Sequence, residues 1–221
     1  MKLDEIVREK YPNFIAGYVL ATGVTVETDV ETLNNRLSSV LSEIKAKFAQ
    51  TQVTEIPEIK AYREFFKQMG RDPSSFRPSV EYLLRKTLED QFPRINNVVD
   101  SCMLASVEHM VSAGVYDLQK VVGELRTTLA SPDDKPIELI DGRKLQPLPG
   151  EIVLKDDQKI LSAYTLGDSK ISKITYGTSS VIFVLWNAPG IPRENVERAV
   201  ESLALYARKY CGGYVDKKEI L

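Results

Sequence analysis

Histidine and cysteine are almost missing from this sequence. His109 is the only histidine, so a metal site with two histidines is excluded, and any histidine-based triad would have to use this one residue. Cys102 and Cys211 are the only cysteines and lie far apart. A disulfide framework or a thiolate zinc cluster needs more sulfur at closer spacing, and in a reducing compartment two free thiols are expected. Long apolar runs are absent too. None approaches the roughly 18 to 20 residues that span a bilayer, and the start Met1-Lys2-Leu3-Asp4-Glu5 lacks the apolar stretch of a secretory signal. No Gly-x-x-x-x-Gly-Lys loop, Gly-x-Gly-x-x-Gly turn or Gly-x-Ser-x-Gly elbow occurs. The expectation is a cytoplasmic protein with no metal, no cofactor and no membrane partner.

What is present describes an ordinary folded chain. Of 221 residues, 43% are hydrophobic, enough for one substantial core. The net charge of -2 argues against nonspecific coating of DNA. It leaves RNA open, because a local positive patch can hold phosphates on a nearly neutral protein.

Periodicity assigns helices to about 3–11, 29–50, 57–69, 78–90, 97–112 and 193–210. In the second of these, Val30, Leu33, Leu37, Val40, Leu41, Ile44 and Phe48 recur at three- and four-residue steps. Pro57 suits a first helical turn and Gly70 a helix stop. A strand is predicted within residues 14–26, and others at 124–129, 137–140, 151–155, 160–166 and 181–186, with Asp141-Gly142 as a hairpin turn. Gly114 falls just past a helix end, and Gly212-Gly213 closes the last helix. Helices early and strands late give an α+β class. The chain divides into an N-terminal α/β element (1–60), a core (61–188) and a C-terminal helix (189–221), within one domain.

The basic residues are notable by position. Five arginines and two lysines fall between Arg63 and Arg94. Arg71 and Arg77 lie in a Pro/Ser loop, and the arginine fork matches phosphate. Arg85 stands four residues after Glu81, the spacing of a helix-face ion pair. Arg94-Ile95-Asn96-Asn97-Val98-Val99-Asp100 opens a helix, where free amides can bind an anion or a carbonyl, or where Asn96 or Asn97 can cap. His109 lies inside a helix; packing and a titrating role both remain open.

An ordered series of short blocks carries a resemblance. Tyr62-Arg63, Gly70-Arg71-Asp72-Pro73, Arg77-Pro78-Ser79-Val80-Glu81, Leu84-Arg85, Pro93 to Asp100 and Gly114-Val115-Tyr116-Asp117-Leu118 together resemble the B3/B4 tRNA-binding, or editing, domain of the phenylalanyl-tRNA synthetase beta chain, in its freestanding form. The resemblance implies helices packed on a β-sandwich of unusual topology. It implies hydrolysis of amino acids wrongly esterified to tRNA, a second sieve where binding alone separates similar side chains by only about 1–3 kcal/mol. The acceptor end of tRNA is the implied partner, with Arg71, Arg77, Arg85 and Arg94 as RNA contacts.

The implied pocket lies between the helix start from Asn97 to Met103, the Gly114–Tyr116 stretch and the strand from Thr178 to Trp186. Asn97, Met103, Gly114 and Tyr116 are the candidates for catalytic contact, with Ser106, Thr178 and Trp186 as further pocket residues. The chain departs from the bacterial editing pattern. Ser101-Cys102-Met103 follows Val98-Val99-Asp100, Gly114 stands where that pattern has histidine, and Trp186 falls near its late glutamate. A different pocket follows. Three readings result: a trans-acting aminoacyl-tRNA deacylase, a noncatalytic RNA-binding module, and a binder of a small amino-acid-like ligand.

Overall fold

The computed structural model describes residues 1–221. The helices are α1 (Glu5–Lys10), α2 (Glu31–Phe48), α3 (Pro57–Gln68), α4 (Ser79–Leu88), α5 (Asn97–His109) and α6 (Arg193–Cys211). The strands are β1 (Lys2–Leu3), β2 (Ala16–Thr22), β3 (Ser112–Asp117), β4 (Arg126–Leu129), β5 (Ile137–Glu138), β6 (Lys144–Leu145), β7 (Ile152–Lys155), β8 (Ile160–Ala163), β9 (Gly167–Asp168), β10 (Ser180–Trp186) and β11 (Tyr214–Ile220). The class is α+β, with helices packed on sheets.

One sheet runs β1-β4-β7-β8-β9 and a second β11-β2-β10-β3. In the second, β10 pairs with β2 from Ser180↔Thr22 to Trp186↔Ala16 and with β3 from Val181↔Asp117 to Trp186↔Ser112, antiparallel on both sides. α5 and α6 pack together and against this sheet. Side chains join the two sheets: Trp186 Nε1 of β10 donates to Thr127 Oγ1 of β4 at 3.1 Å, and the Trp186 ring stacks on Tyr164 at 5.7 Å. One apolar core runs through both sheets, from Leu3 and Val7 through Ile152, Leu154 and Phe183 to Tyr210. β2, from the first sixty residues, lies between β11 and β10.

Five strands lie outside the sequence expectation: the two-residue β1, β6 and β9, and the longer β3 and β11. Residues 112–117 continue as β3 beyond the helix, and a final strand, β11, follows Gly212-Gly213, so residues 189–221 are more than a helix. The connection into β3 is a left-handed turn at Met110 (φ 54°), whose N–H bonds the Ser106 carbonyl. The Asp141-Gly142 turn sits in the β5–β6 hairpin, with Gly142 at φ 87°, a conformation that glycine adopts without steric cost.

Candidate functional site

A cavity of about 430 Å³ opens between β3 and β10 of one sheet and β8 and β9 of the other. Gly114 and Tyr116 of β3, Trp186 of β10, Ser162 of β8, Asp168 of β9, and Arg77 and Arg143 from two turns are among its lining residues. Strand geometry puts Gly114 and Tyr116 on the same face. The Tyr116 ring folds back over Gly114, and a methyl group there would stand 2.3 Å from the Tyr116 hydroxyl. Thus the missing side chain at 114 makes the room that Tyr116 occupies.

The Tyr116 hydroxyl donates to Asp168 Oδ1 at 2.7 Å. Burial raises the Asp168 carboxyl above the ordinary aspartate value, while the bonds from Tyr116 and Ser162 pull it back. Burial and the neighbouring carboxyl push the Tyr116 hydroxyl far up, so it stays a donor. Cys102 of α5 is buried in the same neighbourhood, and burial together with Asp168 raises its thiol, which leaves it protonated and unreactive.

The far wall is tied by hydrogen bonds. The Tyr62 hydroxyl accepts from the Ser112 N–H at 2.7 Å and donates to the Trp186 carbonyl at 3.1 Å, clamping the β3–β10 pair at its end. Tyr164 donates to the Asn187 carbonyl at 2.7 Å. Fully buried Glu151 accepts from both the amide (2.9 Å) and the hydroxyl (2.6 Å) of Thr165, fixing that lining residue.

The sequence-derived candidates separate clearly. Gly114, Tyr116, Arg77 and Trp186 share the cavity. Asn97 does not reach it. Its amide donates to the Thr25 and Tyr210 carbonyls, both at 2.8 Å, and accepts from the Glu27 N–H at 2.8 Å, stitching three segments together. Asn96 is the helix cap, accepting from the Val99 N–H at 3.0 Å. Met103 is half-buried against the core, and Ser106 is buried in α5 with no hydrogen-bond partner for its hydroxyl. Thr178 braces the end of β3 by donating to Asp117 at 2.8 Å. His109 packs on Ser202 at 2.8 Å, and burial lowers its pKa and keeps it neutral.

Three of the four candidate RNA-contacting arginines are engaged by protein. Arg85 forks onto Oε1 of buried Glu81 at 3.0 and 3.1 Å, and Arg94 meets Asp100 at 2.7 Å. Arg71 lies over the Phe76 ring, bonds the Gln146 carbonyl at 2.7 Å and sits 3.6 Å from Glu151. Arg77 is different: its guanidinium is 3.8 Å from Glu81, which Arg63 and Arg85 already hold more closely, and its side chain is 48% exposed. Arg143 at the hairpin tip is 61% exposed and pairs with Asp141. Asp168 and Arg143 were not singled out in the sequence. The only local signal was the hairpin turn that carries Arg143.

Residues 61–212 match the B3/4 domain family, which covers most of the chain. The chain belongs to the B3/4 domain family. The cavity's β3 and β10 walls, β8 and β9 all fall within the matched B3/4 segment. Among solved structures, an N-terminal fragment of the phenylalanyl-tRNA synthetase beta-subunit from Pyrococcus horikoshii is similar in fold, with a TM-score of 0.51 and 12% identity. The similarity covers 99% of this chain and 53% of that one, so the B3/4 chain spans about half the length of the fragment. The sequence has no match among curated proteins. No helix is long and apolar enough to cross a membrane.

Proposed function

We propose that the cavity receives the aminoacyl end of a tRNA and that the protein hydrolyses the ester joining amino acid to nucleotide. The observation that carries this reading is the Tyr116–Asp168 pair, a carboxyl raised by burial yet held by a hydroxyl at 2.7 Å, inside a cavity of about 430 Å³ with two arginines on its lining. Membership of the B3/4 family and likeness to a synthetase beta-subunit fragment support it.

In this reading Asp168 acts as general base. A carboxyl raised by burial is, in its ionised form, a better proton acceptor than an ordinary aspartate. It takes a proton from a water, the water oxygen bonds to the ester carbonyl carbon, and the ribose hydroxyl leaves as that tetrahedral centre collapses, taking up a proton. An aminoacyl ester is already activated, so a positioned water and one base suffice without a triad. Gly114 provides the space, Tyr116 orients the base, Trp186 and Tyr164 form the apolar wall, and Arg77 and Arg143 meet the terminal phosphates.

The test is hydrolysis of a panel of mischarged aminoacyl-tRNAs by the purified protein and by Asp168→Asn. The isosteric amide still accepts the Tyr116 bond, so the fold is kept. Activity on at least one ester, reduced about 100-fold or more by the substitution, is the expected result. An Asp168→Asn protein as active as the wild type would remove the base from the mechanism. Binding of tRNA without hydrolysis across the panel would leave the noncatalytic reading, which the engagement of most B3/4 arginines by protein carboxylates does not favour.

A further inference from the structure

Phosphate recognition at the cavity has only Arg77 and Arg143 to draw on, since Arg71, Arg85 and Arg94 are held by protein groups. A second and larger hollow, about 700 Å³, lies beside the same edge strand. Asp168 lines the cavity and the next residue, Ser169, lines this groove, so β9 and the residue after it form a shared wall. Five lysines, Lys135, Lys155, Lys159, Lys170 and Lys173, line the groove against three carboxylates, Asp133, Asp134 and Glu138, leaving a positive excess. Lys155 pairs with Asp134, Lys170 with Glu138 and Lys159 with Asp156. Lys135 and Lys173 are exposed and pair with no carboxylate.

The lining excludes most other ligands. No aromatic side chain faces it, so bases have nothing to stack on. Its apolar side chains, Pro136 and the isoleucines at 137, 160 and 171, lie among charged residues and do not enclose a pocket for an apolar metabolite. Lysines present point charges on flexible stems, which match a run of phosphates without demanding one geometry. The Lys170–Glu138 pair is exposed and screened by salt, so an incoming phosphate can compete for it, whereas Lys155 and Lys159 stay on the buried carboxylates of Asp134 and Asp156. We infer that this groove is a second binding site, for the phosphodiester backbone of an RNA whose acyl end occupies the cavity. The link to the acyl end rests on the function proposed above; the backbone site does not.

Uncharged tRNA is the probe, because it carries no ester; any contact of its acceptor end with Arg77 and Arg143 is common to every variant, so the difference between variants reports on the groove. Its affinity is measured against salt concentration for the wild type, for Lys135→Gln/Lys173→Gln, and for a control, Lys60→Gln/Lys218→Gln, which removes two lysines paired with Glu55 and Glu201 elsewhere. Each phosphate contact contributes about 0.7 to 0.9 to the slope of log affinity against log salt. The groove variant is expected to lose about 1 to 2 units of slope and roughly 10-fold in affinity near 0.1 M salt, equally for unrelated tRNAs. The control is expected to keep the wild-type slope. An unchanged slope in the groove variant overturns the proposal, as does a wild type that fails to bind uncharged tRNA at low salt. Loss of inorganic phosphate binding with tRNA binding intact also overturns it, and identifies a small-anion site. Hydrolysis of charged tRNA by the groove variant at saturation stays at the wild-type rate, so failure of the groove and failure of the cavity chemistry are read separately.

Discussion

Replacing Gly114 with alanine tests the central geometry with one methyl group. The added carbon would lie 2.3 Å from the Tyr116 hydroxyl, 2.9 Å from the ring carbon that bears it and 3.3 Å from Asp168 Oδ1. Relief of the overlap requires the hydroxyl to retreat by roughly 1 Å. Asp168 cannot follow freely, because the same methyl already crowds its oxygen. The 2.7 Å bond is therefore broken or badly stretched. Losing a hydrogen bond to a buried carboxylate costs about 1.5–3 kcal/mol, which in a chain of this size lowers Tm by about 3–12 °C. The deficit depends on pH in a definite direction. Asp168 is raised above its ordinary value of 3.8 by burial, and Tyr116 is one of the bonds that oppose the rise. Removing that bond raises the folded-state pKa further. A carboxyl whose folded pKa exceeds its unfolded one adds stability below the unfolded pKa and loses it as pH rises through the folded one. The Gly114→Ala protein should therefore fall furthest behind the wild type at the alkaline end of the range, and the gap should close as the carboxyl becomes protonated in acid. Thermal unfolding of both proteins from pH 4 to 8 measures this. A deficit of equal size at every pH, or none at all, would refute the claim that the glycine exists to seat Tyr116 on Asp168.

Two further outcomes follow from the same contacts. Tyr116→Phe removes the donor while leaving the space unchanged, so the acid limb of the kcat/KM profile for ester hydrolysis should move to higher pH, with the rates converging in base; superimposable profiles would show that Asp168 is not the titrating base. Asn97→Ala strips a fully buried amide of bonds to Thr25, Glu27 and Tyr210 and should cost about 3–5 kcal/mol of stability, seen in urea unfolding, while the folded fraction hydrolyses at the wild-type kcat; a lower kcat at full folding would restore a chemical role for this residue.

The helices were legible because burial imposes a three- to four-residue period on them. In α2, Leu33, Leu37, Val40, Ile44 and Phe48 are the buried residues, as their spacing implies. The central strand β10 was legible because it is buried on both faces and reads as a continuous apolar run. Of the strands that escaped notice, the two longest, β3 and β11, are the two edges of that sheet. An edge strand is free of the demand for unbroken hydrophobicity and is commonly protected by charge. β11 carries Asp216, Lys217, Lys218 and Glu219 in succession, and β3 contains a glycine, so neither displays a strand pattern. The arginine-rich block was visible, but its partners were not. Glu151, which lies against Arg71, comes from eighty residues further along the chain, and no local spacing reveals it.

The chemistry of the cavity was hidden for a related reason. Asp168 belongs to a two-residue strand, Gly167–Asp168, which as a dipeptide reads as a turn. It gains meaning only from Tyr116, fifty-two residues earlier and on the edge of the other sheet. The departure at position 114, where the resembling bacterial pattern has a histidine, taken alone suggests a pocket stripped of polar groups. The structure gives the same position a different consequence. Without a side chain at 114, the tyrosine two residues on leans into the vacated volume, and its hydroxyl reaches a carboxyl that β9 supplies from across the cavity. The polar pair at the cavity is thus shared between β3 and β9. A glycine at this position and a tyrosine–aspartate pair then form one unit, in which changing the glycine or the tyrosine should shift the titration of the aspartate.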